Sequence, residues 1–169
     1  MTAHDAGPIS AAFNEISWNK PVDQFLRYVE LADRGDRICL VAERGPEFAG
    51  YCTLVWSSDY PPFREQGIPE ICDLNVLPPY RRAGIGSALL QALEDAAGTR
   101  GDVVGLGVGL YADYGPAQRL YAARGYRPDG RGVMYDNRPV PPGESIRIDD
   151  SACLMMTLEL TPARRSAPS

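Results

Sequence analysis

The chain has 169 residues, of which 44% are hydrophobic and 23% are charged, and its formal net charge is -5. This size and composition predict a single globular domain, which we assign to residues 1–162, followed by a disordered tail at 163–169. The negative charge is atypical of a general nucleic-acid-binding protein, no apolar run reaches the ~18 residues of a membrane helix, and the first residues lack the features of a signal peptide. A cytoplasmic protein is therefore expected, with no nucleic-acid or membrane partner.

The single histidine and the four cysteines restrict the chemistry that is available. His4 lies near the start of the chain, which argues against Ser-His-Asp and Cys-His enzymes. Cys39, Cys52, Cys72 and Cys153 sit in apolar runs, and none of them belongs to a Cys-x-x-Cys pair. Buried, reduced thiols are expected, and no metal site.

The first half of the chain is predicted to contain one helix and three strands. Apolar residues with helical spacing begin at Val22, with Asn14 or Asn19 as the residue that opens the helix and Gly35 as the residue that ends it. Two apolar runs on either side of an Arg-Gly-Pro-Glu turn predict a hairpin. The predicted strands are residues 37–43, 48–56 and 69–77, and residues 57–67 are predicted to be a loop.

The second half is predicted to alternate helices with strands. The strongest helix has its small and aliphatic residues on one face and ends at Gly98. The order of the elements predicts a mixed α/β domain with one strand–helix–strand unit. The predicted helices are residues 84–97 and 116–124, the strands are residues 103–110 and 153–160, and residues 129–150 form a long loop.

The turn before the strongest helix carries two arginines and two glycines, in the order Arg81-Arg82-Ala83-Gly84-Ile85-Gly86. Because the N–H groups at a helix N-terminus are unpaired and the helix dipole is positive there, such a turn binds phosphate readily. The arginines would add charge-assisted hydrogen bonds. A phosphate cradle is one interpretation, and a plain left-handed turn with surface arginines is the other. The spacing matches neither a P-loop nor a dinucleotide-binding motif.

Two motifs in the chain have the pattern of a known family. The run Arg81-x-x-Gly84-x-Gly86, after the strand Leu74-x-Val76-x-Pro78, resembles the acetyl-CoA motif of the GNAT N-acetyltransferase superfamily. The run Ala117-x-x-Leu120-Tyr121-x-x-x-Gly125-Tyr126 looks like the later helix-and-strand motif of the same family and occurs in the expected order. The resemblance covers residues 37–126 and the last strand. It implies the α/β (α+β) GNAT fold, whose mixed central sheet, flanked by helices, is splayed between the strands at 69–77 and 103–110, where the cofactor enters.

The resemblance also implies acetyl-CoA as the co-substrate. In relatives, the turn amides hold the pyrophosphate, the backbone of the preceding strand holds the pantetheine arm, and the amide at Val76 polarises the thioester carbonyl. Many relatives have an asparagine where this chain has Tyr114, so backbone at the start of the second helix is the expected substitute. The arginines of that helix reach the CoA phosphates or touch only water. The implied binding residues are Leu74, Asn75, Val76, Arg81, Arg82, Ala83, Gly84, Ile85, Gly86, Ser87, Gly115, Pro116, Arg119, Tyr121 and Arg124.

Three glycines in the strand at 103–110 have two interpretations. Gly105, Gly107 and Gly109 are consistent with a strand that leaves space for the cofactor. Equally, they are consistent with close packing of protein side chains in the core.

Three residues are candidates for proton transfer. Tyr121 matches the tyrosine that protonates the departing CoA thiolate in relatives, a task that suits a phenol with a pKa of about 10. Its alternative role is packing between helix and sheet. Glu70 matches the position of a general-base glutamate in some protein-lysine-acetylating relatives, and Asp73 lies three residues further on. Either carboxylate accepts the proton of the amine, or neither does and one is a structural hydrogen-bond acceptor.

The expected function is transfer of an acetyl group from acetyl-CoA to a primary amine of a small molecule, peptide or protein. Transfer would occur by direct attack in a ternary complex, without a metal. A longer acyl donor, a non-catalytic CoA-binding or sensor domain, and an interaction module are the alternatives. The acceptor is expected against residues 57–67 and 130–150, although both segments could simply pack on the protein. Relatives are often dimers, so a homodimer is one possible oligomeric state, and the sequence does not decide between monomer and dimer.

Overall fold

The computed structural model of the protein describes residues 1–160, so the predicted tail at 163–169 lies outside the described residues. The assignment of residues 1–162 to one domain stays a prediction. Within residues 1–160, no helix has the length and apolar character needed to cross a membrane. The helices are α1 (Ala6–Glu15), α2 (Val22–Asp33), α3 (Pro61–Gln66), α4 (Ile85–Gly98) and α5 (Gly115–Arg124). The strands are β1 (Arg37–Arg44), β2 (Glu47–Val55), β3 (Glu70–Val76), β4 (Val103–Gly109), β5 (Arg127–Tyr135), β6 (Arg138–Pro139) and β7 (Ala152–Glu159).

The strands form a mixed sheet in the order β1-β2-β3-β4-β7-β5-β6. The predicted hairpin is present, because β1 and β2 pair antiparallel, and β7 pairs antiparallel with both β4 and β5. β3 and β4 pair in parallel at two positions, Glu70 with Gly105 and Ile71 with Leu106. Two paired positions in strands of seven residues each agree with the predicted splay. The mixed α/β class is confirmed.

The chain divides into two compact units. The first contains Met1–Val55 and Cys72–Leu93, and the second contains Trp56–Ile71 and the described residues from 94 to 160. Both β3 and α4 contribute residues to each unit.

The core of the first unit contains a helix that the sequence analysis missed. Ile9 and Phe13 lie on one face of α1 and pack with Phe25 of α2 and Tyr51 of β2. The rings of Phe13 and Phe25 meet the Tyr51 ring edge-on, with centroids 5.8 and 5.4 Å away. The prediction that the first helix opens after Asn14 or Asn19 is wrong, because Asn14 lies inside α1 and the residue before α2 is Pro21. Gly7 and Pro8 are typical of turns and so argue against a helix at α1, although proline is tolerated in a first turn.

The core of the second unit explains the glycine-rich strand. Phe63 lies in α3, a short helix inside the predicted loop 57–67, and packs with Tyr60, Met134 and Met155. A Cβ added at Gly105 would lie 2.1 Å from the Phe63 ring. A Cβ added at Gly109 would likewise lie 2.3 Å from the Tyr114 ring, and one at Gly107 would lie 3.0 Å from the Met155 sulfur. Protein side chains thus occupy the space beside these glycines, which favours the packing interpretation.

The predicted loop 129–150 is wrong in its first part, because β5 and β6 run through it. The two strands are joined by Asp136-Asn137, both with positive φ (49° and 61°), as in a type I′ hairpin turn. The pairing of β5 with β7 shifts register between Pro128 and Val133, so residues 129–132 bulge out of the ladder. Two glycines with positive φ lie in this bulge, and with Pro128 they give the strand the composition of a loop.

All four cysteines are free. Cys39 and Cys52 are buried, as predicted. The prediction of burial is wrong for Cys72 and Cys153, which are half-buried.

Candidate active site

At the end of β3, the backbone N–H and C=O groups of successive residues point toward opposite edges of the strand. The Asn75 carbonyl lies toward Gly50 of β2, where an added Cβ would meet that oxygen at 2.5 Å. The Leu77 N–H faces the same way and donates to the Ala49 carbonyl at 2.9 Å. The backbone groups of Asn75 therefore face β2, whereas those of its two neighbours, Leu74 and Val76, face the other edge. Of the three predicted pantetheine-binding residues, these two are oriented for a ligand at that edge.

The turn after β3 curls through two residues with left-handed backbone conformation. Arg82 and Gly84 have φ of 60° and 81°, and a Cβ added at Gly84 would meet nothing within 4 Å. Residues 81–84 are exposed and residues 85–87 are half-buried, directly at the N-terminus of the 14-residue helix α4. The Arg81 Nε donates to the Val76 carbonyl at 3.0 Å, so this side chain folds back onto β3. An exposed, glycine-containing turn before a helix N-terminus fits a phosphate group.

Asp73 lies in a hydrogen-bonded network within the first unit. Its φ is 56°, which is uncommon for a strand residue other than glycine. The Tyr28 hydroxyl donates to Asp73 Oδ2 at 2.6 Å, and Arg37 Nη1 lies 3.9 Å from the same oxygen. Arg37 also donates to Thr53 and its guanidinium stacks 4.1 Å from the centre of the Tyr28 ring. Burial, and then the charge of Asp73, raise the pKa of Tyr28. Asp73 is thus held by a phenol and a cation.

Glu70 lies in a different environment, within the second unit. The Ser58 hydroxyl donates to Glu70 Oε2 at 2.5 Å and accepts the Tyr60 N–H at 2.9 Å. Burial, and then the negative charges of Glu70 and Asp129, raise the pKa of the Cys153 thiol to about 11. Glu70 and Asp129 therefore both act electrostatically on the Cys153 thiol.

Asp129 is a functional candidate that the sequence analysis did not single out. Its side chain is 7% exposed and its Oδ2 accepts the Tyr60 hydroxyl at 2.8 Å. Its Oδ1 accepts the N–H of Arg131, whose guanidinium lies 3.9 Å from the other oxygen. Neither Asp129 nor Ser58 belongs to a motif, and Asp129 stands in a Pro-Asp-Gly run that is typical of a turn.

Tyr121 lies in α5 and is 7% exposed. Its ring lies 5.8 Å from that of Tyr126, whose hydroxyl donates to Glu94 Oε1 at 3.2 Å. Arg124 donates to the same carboxylate with Nε at 2.9 Å and with Nη2, and Glu94 is fully buried. The hydrogen bond to Glu94 raises the pKa of Arg124. Arg124 is therefore engaged in a two-point ion pair, and its predicted contact with CoA phosphates stays a prediction.

The start of α5 differs from the pattern of the family at Tyr114. The ring of Tyr114 covers Gly109, and its hydroxyl donates to Asp150 Oδ1 at 2.9 Å. Tyr111 donates to the same oxygen at 2.5 Å. At the first residue of the helix, a Cβ added at Gly115 would lie 3.7 Å from the Arg119 guanidinium. Gly115 is half-buried, and Pro116 and Arg119 are exposed.

Comparison with known proteins identifies the family. The sequence matches the model of the acetyltransferase (GNAT) family over residues 9–126, more than half of the chain. No curated protein matches the sequence significantly.

Similar solved structures include the ribosomal-protein-alanine N-acetyltransferase of Brucella melitensis, at 22% identity over 95% of this chain and 97% of that chain, with a TM-score of 0.69. An N-acetyltransferase of Staphylococcus aureus has 20% identity over 95% and 96%, with a TM-score of 0.70. The acetyltransferase yncA of Salmonella typhimurium, solved with acetyl-CoA, has 21% identity over 96% and 92%, with a TM-score of 0.68. The chain belongs to the GNAT family of acetyltransferases.

Proposed function

We propose that the protein transfers an acetyl group from acetyl-CoA to a primary amine of a small molecule, peptide or protein. The observation that carries the proposal is the exposed left-handed turn at residues 81–84, directly before α4, in a chain that matches the acetyltransferase (GNAT) family. The presence of acetyl-CoA in the yncA structure supports the choice of donor. Acetyl-CoA would supply the activated acetyl group, and the chain would supply binding groups and proton transfers.

Backbone groups of the first unit would hold the co-substrate. The N–H groups from Arg81 to Ser87 bind the pyrophosphate, since they lie at a helix N-terminus and Gly84 leaves open space beside the turn. Leu74 and Val76 bind the pantetheine arm, because their backbone groups face away from β2. The Val76 N–H donates to the thioester carbonyl oxygen, where negative charge develops as the amine attacks.

Glu70 is the proposed general base. It accepts a proton from the acceptor ammonium and is oriented by the Ser58 hydroxyl. Asp73 is the weaker candidate, because its Oδ2 already accepts the Tyr28 hydroxyl at 2.6 Å and lies 3.9 Å from Arg37 Nη1. We assign Asp73 a positioning role in the bent part of β3.

Tyr121 is the proposed general acid. Its hydroxyl donates a proton to the sulfur of the departing CoA thiolate, as its place in the second family motif implies. At the start of α5, Gly115, Pro116 and Arg119 are proposed to contact CoA through backbone and the exposed guanidinium.

The test is a calorimetric titration with acetyl-CoA, with ATP and NAD as controls, followed by a screen of amines for release of the CoA thiol. Selective binding of acetyl-CoA with amine-dependent thiol release is the expected result. Absence of binding would contradict the proposal as a whole. Binding without thiol release from any small amine or peptide would favour the CoA-sensing alternative.

We also propose a cytoplasmic location, which the four free cysteines support. A homodimer is the proposed oligomeric state, by analogy with the family. Sedimentation equilibrium at micromolar concentration would distinguish a dimer from a monomer.

A further inference from the structure

Trp18 is an exposed aromatic residue whose position is fixed by the residues before it. It follows α1 through Ser17, which has a φ of 59°, and its N–H donates to the Phe13 carbonyl at 2.9 Å. The indole then lies parallel to the Phe13 ring, with an interplanar angle of 8° and centroids 5.9 Å apart. Phe13 is fully buried, whereas Trp18 is 39% exposed. The indole is therefore anchored on the core while much of it remains at the surface.

The Arg81 guanidinium lies over the same indole, 5.6 Å from the ring centroid. At this distance the ring attracts the cation. The Nε of that guanidinium donates to the Val76 carbonyl at 3.0 Å. The Trp18 ring and the Val76 carbonyl thus both restrain the exposed Arg81 side chain. Without these contacts, the side chain would lose its rotamer freedom only when a ligand binds.

The restrained guanidinium joins the two parts of the proposed acetyl-CoA site that lie in the first unit. Arg81 is the first residue of the phosphate-binding turn, and Val76 is the strand residue whose backbone faces the pantetheine. A change in the Arg81 conformation therefore alters the turn and the end of β3 together. Preorganisation of such groups lowers the free-energy cost of binding.

We propose that Trp18 is a positioning residue for acetyl-CoA, which holds the Arg81 guanidinium against the Val76 carbonyl. The inference rests on the proposed function, since it presupposes that the turn binds acetyl-CoA. Trp18 acts through Arg81 and does not itself belong to the phosphate cradle.

A double-mutant cycle on acetyl-CoA affinity tests this inference. Trp18→Leu removes the aromatic face and is expected to weaken the Kd for acetyl-CoA about two- to fivefold, the range of an exposed cation–π contact. Trp18→Phe keeps an aromatic face and should restore most of the affinity. In an Arg81→Met background, Trp18→Leu should have no further effect on the Kd. Trp56→Leu is the matched control, because the Arg100 guanidinium lies over the Trp56 ring, 3.8 Å from its centroid, and removal of that ring should leave the Kd for acetyl-CoA unchanged.

The outcomes separate this inference from the proposed function. If the wild-type protein does not bind acetyl-CoA, the proposed function fails and the inference falls with it. If the wild-type protein binds but Trp18→Leu changes the Kd by the same factor with Arg81 or Met at position 81, Trp18 acts by another route and only the inference is overturned. An unchanged Kd in Trp18→Leu overturns it as well. Urea unfolding of each variant shows whether any loss of affinity follows from loss of stability.

Discussion

Two carboxylates three positions apart in the chain differ in what surrounds them. Asp73 accepts a hydrogen bond from a phenol and lies near an arginine, whereas Glu70 accepts one from a serine and acts electrostatically on a half-buried thiol. The sequence made both residues candidates, with Glu70 at the position that matches a general base in some relatives, and the structure adds the partners that distinguish them.

Glu70→Gln is expected to lower kcat by roughly 10²-fold, the effect of losing a general base, and to remove the acidic limb of the pH–rate profile. Asp73→Asn is the matched control, because asparagine tolerates a positive φ and still accepts the Tyr28 hydroxyl. Its profile should keep the wild-type shape. Steady-state rates from pH 5 to 9 measure both variants, and a flat profile for Asp73→Asn alone would reverse the assignment.

Tyr121→Phe is expected to lower kcat by roughly 10²-fold while the Kd for acetyl-CoA stays nearly unchanged, since the hydroxyl acts as the thiolate leaves. Tyr126→Phe provides the comparison, because this neighbouring hydroxyl donates to the buried Glu94. That variant should lose stability rather than kcat. Rapid-quench kinetics and calorimetry give the two quantities, and a fully active Tyr121→Phe enzyme would remove Tyr121 from the mechanism.

At the scale of elements, the N-terminus of α4 is where the charge of a ligand matters most. Gly86→Glu is expected to abolish acetyl-CoA binding, because a carboxylate in the first turn would repel the pyrophosphate from the cradle. Ala88→Glu adds the same charge to an exposed position two residues later and should bind nearly as well as the wild type. Calorimetric titration measures both, and equal affinities would mean that phosphate does not bind at this turn.

The Phe63 ring of α3 packs directly against the backbone of β4 at Gly105. Gly105→Ala would place a methyl group 2.1 Å from the Phe63 ring, so we expect a loss of about 1–3 kcal/mol in the free energy of unfolding. Gly101→Ala is the control, because a Cβ there meets nothing within 4 Å. Urea unfolding distinguishes the two. A Gly105→Ala variant as stable as the wild type would show that α3 moves freely away from the sheet.

The elements that the sequence predicted have strong periodic patterns, and those that it missed contain turn-forming residues. The helix predicted at 84–97 corresponds to α4, and the hairpin of β1 and β2 matches within a few residues, because both bury a regular apolar face. α1 contains Gly7 and Pro8, and β5 contains two glycines in its bulge, so their composition favours loops. Tertiary packing of Phe13 and Met134 overrides these local preferences.

The candidate site was predictable where a motif reflects backbone geometry. The left-handed conformation at Gly84 is one that glycine adopts without steric cost. The partners of Glu70 and Asp73 were not predictable, because Ser58 and Tyr28 are distant in sequence and belong to no motif. The orientation of Asn75 toward β2 likewise depends on the register of neighbouring strands.

At the scale of the whole molecule, a buried ion pair contributes to global stability. Glu94 is fully buried and the Arg124 side chain is 15% exposed, so Glu94→Gln leaves a largely buried cation without its partner charge. We expect the free energy of unfolding to fall by about 3–5 kcal/mol. The double variant Glu94→Gln/Arg124→Met should recover part of that loss. Urea unfolding at neutral pH measures both, and a loss below ~1 kcal/mol would show that water solvates the guanidinium.

The contact of Tyr114 with Gly109 also constrains how this sequence could have arisen. A side chain at position 109 would lie 2.3 Å from the aromatic ring, so we expect tyrosine at 114 to be accepted only where position 109 is glycine. The two positions are therefore epistatic, and substitutions at them are permitted in one order and blocked in the other. A return to a small residue at position 114 must likewise precede any larger residue at 109. A library that randomises both positions should recover tyrosine at 114 in combination with glycine at 109.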